Sequence, residues 1–266
     1  MQISDPEVRE TVLRRHRRRR SVRVSLAVCL LTTVAAAVGV GVVRGTTKGP
    51  GEPPDRVPRG VSADRSGVSV GGGPVRVDLY VDYLCPECRK VGTVLAPRLR
   101  SLAEAGTVTV VHHPVAFLDD RSVPAGYSGR ASAAAACAAD QDRFEEYDAA
   151  LFSHQPPERG PGPDTEQLID IGREAGITVD AFARCLREAR YVPWARYVTD
   201  LSASHGVTVT PSLFVGGDRI DVTASDALAA LDRAVADART GDERAGSAAG
   251  PHRPGQAPRT NPPVRG

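Results

Sequence analysis

The sequence predicts an α/β fold, and three observations carry that expectation. An alternating strand runs directly into a helix with one apolar face, a second strand follows that helix, and sheet character then returns only after a long helical stretch. Both ends of the 266-residue chain are poor core material, so the folded domain is expected over residues 68–240.

Val68 and Val70 suggest a short edge strand, and Gly71 to Gly73 turn the chain into Val75-Arg76-Val77-Asp78-Leu79-Tyr80-Val81, whose strict alternation marks a strand. Beyond it, Cys88, Val91, Leu95, Leu99 and Leu102 recur at helical spacing and place one apolar face on a helix. Pro97 falls inside this pattern and is expected to bend the helix without ending it, and Gly106 is expected to close it. Thr107 to His113 reads as a second, parallel-type strand, joined to the first by a right-handed crossover. Apolar positions then recur in four groups: Ala134 to Leu151, Leu168 to Ala175, Phe182 to Ala189 and Trp194 to Leu201. About four amphipathic helices are expected, filling an insertion over about residues 126–206. Ser212 to Val215 and Arg219 to Val222 flank the hairpin signal Gly216-Gly217, and a last helix is expected from Ala224 to about Arg239.

The formal charge of +2 hides an asymmetry. Arg14, Arg15, Arg17, Arg18, Arg19, Arg20 and Arg23 crowd a basic arm over residues 1–24, and an uncharged run from Ser25 to Val43 follows it. That order suits a membrane topology signal better than a nucleic-acid-binding arm, and no nucleic-acid partner is expected. At ~1.5 Å per residue the run reaches ~28 Å, close to the ~30 Å of a bilayer's hydrocarbon core. The expectation is a single-pass protein of the cytoplasmic membrane, with residues 25–43 as the transmembrane helix, the N-terminus cytoplasmic and everything after Arg44 outside. Two rivals are weaker. Cleavage of a signal peptide near Ala35 to Ala37 would leave Val38, Val40, Val42 and Val43 exposed at the new terminus. A lipoprotein signal at Cys29 would have Val28 where a small residue belongs, so Cys29 reads as an apolar filler of the span. Residues 44–67 are dense in Gly, Pro and charge and read as a flexible linker, and residues 241–266 lack large apolar side chains and read as a disordered tail.

The chemistry concentrates in Cys85-Pro86-Glu87-Cys88. Two cysteines separated by two residues serve as redox partners or as half of a metal site. A metal needs two more ligands, whereas the other cysteines after the span are single and far apart, and His112 and His113 would point to opposite strand faces. No metal is expected. Redox chemistry places the first cysteine at a helix N-terminus, where free N–H groups and the helix dipole stabilise a thiolate. Cys85 follows the strand directly, Pro86 suits the first helical position, and Cys88 lies one turn further in. Cys85 is therefore expected to attack and Cys88 to resolve, with their redox-active disulfide needing no further cofactor.

The segment from Val75 to Cys88, the run from Tyr127-Ser128-Gly129-Arg130 to Asp140, and Thr210-Pro211 together resemble the DsbA-like branch of the thioredoxin superfamily, in the style of its membrane-anchored actinobacterial members. The resemblance covers about Val68 to Arg239 and implies a thioredoxin fold with its helical insertion between the two halves of the sheet. It also implies a cis bond before Pro211, which with Thr210 would lie beside the redox pair and help to hold an incoming substrate chain. Two departures bear on direction. Glu87 stands where the well-studied oxidant has His, and a carboxylate beside a thiolate should raise its pKa. Leu79 stands where many relatives bury an acid, so that Cys88 would lack a proton partner. Asp82 and Glu87 are the nearest carboxylates and read as solvated surface groups.

Cys137 and Cys185 each lie on the apolar face of an expected insertion helix and read from their surroundings either as a pair or as two separate core thiols. The resemblance implies a structural disulfide between them. The expected function is oxidation of thiols in exported proteins by a monomer that passes its electrons to a quinone-linked membrane partner. The alternatives are a reductase or isomerase of the same fold and a non-catalytic binding module, against which the intact cysteines and Thr210-Pro211 argue.

Overall fold

The computed structural model describes residues 52–248. The basic arm, the expected span, the first part of the linker and the end of the tail lie outside the described residues. Among the described residues, no helix is long and apolar enough to cross a membrane.

The domain opens with β1 (Val68–Gly71) and β2 (Val75–Val81), continues through α1 (Pro86–Glu104) into β3 (Val108–Pro114), and closes with β4 (Ser212–Val215), β5 (Asp218–Ile220) and α7 (Ala227–Ala248). The sheet order is β1-β3-β2-β4-β5, in which β2 and β3 are parallel and the other neighbouring pairs antiparallel. Alternation along β2 buries Val75, Val77, Leu79 and Val81, the residues the period of two selects. Helix α1 buries Cys88, Val91, Leu95, Leu99 and Leu102 and runs through Pro97 unbroken. Gly106 has φ +66° and donates its N–H to the Ala103 carbonyl, which ends the helix in the left-handed turn that only glycine adopts without strain. At the β4–β5 turn both Gly216 and Gly217 have positive φ, as a two-residue type I′ hairpin demands. The last helix starts three residues later than the sequence suggests and runs past Arg239 to Ala248.

Between β3 and β4 stand five helices where the periodicity suggested four: α2 (Tyr127–Ala139), α3 (Phe144–Ser153), α4 (Thr165–Glu174), α5 (Val179–Arg187) and α6 (Val192–Ser204). The extra break falls at Asp140 to Arg143, a polar stretch with nothing to bury. Asp140 there accepts the backbone N–H of Arg59 at 3.0 Å and the Tyr191 hydroxyl at 2.7 Å, and Asp142 has φ +55°. Sequence periodicity bridged the gap because Ala134, Cys137, Phe144 and Tyr147 all face the core on both sides of it.

The expected flexible linker is folded over its last part. Val61 bridges to Val68, Ser62 and Ser66 are buried around Asp64, and the Arg65 carbonyl accepts the Trp194 indole N–H at 3.2 Å. His113 bridges the Ser66 carbonyl at 2.7 Å and the Asp78 carboxylate at 2.8 Å while stacking on Tyr80. This segment is held by polar contacts to distant residues, so a search for apolar period passes over it.

Candidate active site

The turn between β2 and α1 places Cys85 at the N-cap of the helix and Pro86 in its first turn, where the missing N–H costs nothing. Cys85 Sγ accepts the Cys88 backbone N–H at 3.3 Å and lies 3.5 Å from the Thr210 carbonyl oxygen. Thr210 and Pro211 are joined by a cis peptide bond, which brings the start of β4 against the cysteines across 125 residues of sequence. Both cysteines are free thiols, with Cys88 fully buried and Cys85 the more accessible at 5%.

These surroundings drive the two sulfurs apart. Hydrogen bonding from the Cys88 thiol, then the backbone N–H groups of Cys88 and Glu87 and the Thr210 side chain, lower Cys85 to about 6 against the opposing influence of burial. Cys88 moves the other way, because burial and then the neighbouring Cys85 both disfavour its thiolate. The Glu87 carboxylate, expected to raise Cys85, pairs instead with Lys90 at 2.7 Å on the exposed face of α1, and of this residue only the backbone N–H is among the leading influences on the thiol, lowering it.

Asp82 is not the solvated bystander that the sequence suggested. It is fully buried, and it accepts Leu84 N–H at 2.9 Å, Leu118 N–H at 2.8 Å and the Ser128 hydroxyl at 2.6 Å. Its carbonyl accepts the Cys85 N–H at 3.0 Å. Burial raises its pKa even against those three donors. Alternation along β2 points Asp82 away from the core face and hence toward water, but α2 covers that side, and only the folded insertion reveals it. Two further residues of the insertion reach the turn without a motif to announce them. Asp148 accepts the Tyr83 hydroxyl at 2.8 Å, with its pKa pushed up to about 7 by burial, and Gln155 donates to the carbonyls of Tyr83 and Cys85.

Cys137 and Cys185 are joined by a disulfide with Cα atoms 5.9 Å apart, tying α2 to α5 inside the insertion. Among the described residues, no group of three or more His, Cys, Asp or Glu side chains is placed to hold a metal ion.

A thioredoxin-type sheet with two thiols at the head of its first helix, one readily ionised and one not, defines a protein thiol–disulfide oxidoreductase. The comparisons agree. The sequence model of the thioredoxin family matches residues 72–233. Among solved structures, the chain is similar to oxidised DsbA of Mycobacterium tuberculosis, at 33% identity over 65% of this chain and 99% of that one, with a TM-score of 0.54. It is similar also to the disulfide bond oxidoreductase DsbG of the same organism, at 30% identity over 72% and 96% of the two chains, with a TM-score of 0.52. The MdbA thiol–disulfide oxidoreductase of Actinomyces oris, at 16% identity over 72% and 100% and a TM-score of 0.56, shares the fold. No curated protein matches the chain in sequence. The chain belongs to the thioredoxin family, in its DsbA-like branch.

Proposed function

We propose that the protein is an extracytoplasmic oxidase that introduces disulfides into exported proteins through Cys85 and Cys88. A substrate thiolate attacks Cys85 Sγ of the oxidised pair, the Cys85–Cys88 bond breaks, and Cys88 leaves with the electron pair and takes up a proton. A second substrate thiolate then attacks the substrate sulfur of the mixed disulfide and expels Cys85 as a thiolate. The substrate has lost two electrons, and the enzyme holds them as a thiol and a thiolate.

One observation carries the direction: Cys85 is lowered to about 6. A thiol with a low pKa is the better leaving group in the second step, and hydrogen bonds available only to the thiolate stabilise the reduced enzyme, which makes the oxidised form the stronger oxidant. Thr210 and cis-Pro211 stand beside Cys85, where a substrate chain passing the sulfur would meet them. The Cys137–Cys185 disulfide supports an oxidising compartment, and the run from Ser25 to Val43 supports a membrane anchor with the domain outside. The reduced pair would return its electrons to a quinone-linked membrane partner. Equilibration of Cys85 and Cys88 with glutathione tests the reading: an oxidase requires a potential well above the ≈ −270 mV of a thioredoxin-type reductase. A value at or below that figure, with insulin reduction outpacing oxidation of a dithiol peptide, makes the protein a reductase.

A further inference from the structure

Gln155 lies just beyond α3, its backbone N–H on the Phe152 carbonyl, and belongs by sequence to the insertion and not to the redox helix. Its side-chain Nε2 nevertheless lies 3.0 Å from the Tyr83 carbonyl oxygen and 2.9 Å from that of Cys85. Both partners can only accept, so an amide NH2, with its two donors, is the group that satisfies the pair. The two carbonyls flank Leu84 in the turn that presents the attacking sulfur. The Cys85 carbonyl is also the first acceptor of α1, taking the Arg89 N–H at 3.3 Å. Nearby, the Tyr83 hydroxyl is tied to Asp148 of α3, so α3 and the residues just after it hold the turn at two places.

We propose that Gln155 is a positioning residue for the redox pair, its amide holding the Tyr83 and Cys85 carbonyls and fixing the turn that presents the Cys85 thiolate. The role of the amide is electrostatic as well as geometric. A carbonyl oxygen close to a thiolate is a partial negative charge, and a donor drawn onto that oxygen lessens its opposition to the ionised sulfur. Without Gln155 the Tyr83 carbonyl loses this donor and the Cys85 carbonyl keeps only the Arg89 N–H, so the turn is freer to rotate them toward Cys85.

This inference rests on Cys85 being the reactive thiol of the proposed oxidase, and it is tested by differences between variants of the full chain. Iodoacetamide alkylation of reduced protein is followed against pH, with the labelled cysteine identified by mass spectrometry. Gln155→Ala is expected to move the Cys85 midpoint upward by about one pH unit, a tenfold loss of thiolate below the midpoint. The accompanying tenfold change in the exchange constant with glutathione corresponds to about 30 mV toward reduction. Gln155→Glu is the sharper variant. It keeps the size of the side chain, has no donors when ionised, and sets a carboxylate against two carbonyl oxygens, so its midpoint should lie above that of Gln155→Ala. A role in packing alone predicts the reverse order, with Gln155→Glu nearer the parent, and that order overturns the proposal. Parent-like midpoints in both variants, with unchanged circular dichroism, overturn it equally. A parent midpoint in the ordinary thiol range would instead count against the oxidase reading, since the proposal is read on the differences.

Discussion

Replacing Cys137 and Cys185 together by Ala should leave a folded, redox-active protein that is much less stable. The bridge joins residues 48 apart in sequence, and the chain-entropy model assigns closure of such a loop about 4 kcal/mol. Two structural facts bear on that figure. Both cysteines are buried at 2%, and their helices share one apolar core to which α2 gives Ala134 and α5 gives Phe182, so the helices keep apolar burial when the bridge is gone and the figure is an upper one. Each Cys→Ala change also removes a buried sulfur, which adds a small cavity cost in the other direction. A loss of about 3–4 kcal/mol corresponds to a fall in Tm of roughly 6–16 °C for a domain of this size. Thermal unfolding of parent and double variant, with the Cys85–Cys88 pair reduced in both, measures it. Oxidation of a dithiol peptide at a temperature where both are folded should proceed at the parent rate, since neither residue touches Cys85 or Cys88. A fall in Tm under about 2 °C refutes the stabilising role, and lost activity in a folded variant refutes the separation of the two cysteine pairs.

Three other outcomes follow from the site. Cys85→Ser should abolish dithiol oxidation, while Cys88→Ser should accumulate mixed disulfides on Cys85, visible as mass additions; preferential labelling of Cys88 at mildly acidic pH would reverse the roles. Asp148, raised by burial to about 7, binds its proton more tightly folded than unfolded, so its contribution to stability is full below the unfolded value near 4 and is lost as pH rises toward 7. Asp148→Asn keeps an acceptor for the Tyr83 hydroxyl and should flatten that fall, giving a variant more stable than the parent at pH 8 in denaturant titrations. Asp82→Ala leaves the Leu84 and Leu118 N–H groups without their buried acceptor and should cost about 2–4 kcal/mol, read by the same titrations; a cost under 1 kcal/mol would mean that water replaces the carboxylate.

What could be read from the sequence was whatever depends on local period or a short motif. The alternation of Val75 to Val81, the spacing of Cys88 to Leu102, the glycines of the hairpin and the two cysteines at a strand-to-helix junction each report on their own neighbourhood. The misses have the opposite character. Asp82 looks solvated until Ser128 and Leu118 arrive from 46 and 36 residues away, and Gln155 is an unremarked polar residue until it meets carbonyls 70 and 72 residues back. The strap from Val61 to Gly67 has no period because its partners are a histidine, a tryptophan indole and a bridge to Val68. Each of these is a polar group satisfied across the fold, and no window of sequence contains both halves of such a contact.

The insertion thus has a part in the chemistry and not only in the bulk of the domain. A Cys-x-x-Cys at a helix N-terminus lowers its first thiol by dipole and N–H groups alone, but the pair also needs a turn of fixed shape and a resolving sulfur kept from water. Ser128 of α2 and Gln155 after α3 hold the turn from one side through Asp82 and the two carbonyls, while Thr210 closes on the sulfur from the β4 side. The carboxylate of Glu87, the one local residue expected to oppose ionisation, is drawn off to Lys90. The asymmetry between an ionised Cys85 and a protonated Cys88 is therefore assembled from groups scattered across residues 82–210. When the pair is oxidised, Cys85 has no charge for these groups to stabilise. The reduced state gains contacts that the oxidised state forgoes, and on the proposed reading that difference draws electrons out of substrate thiols.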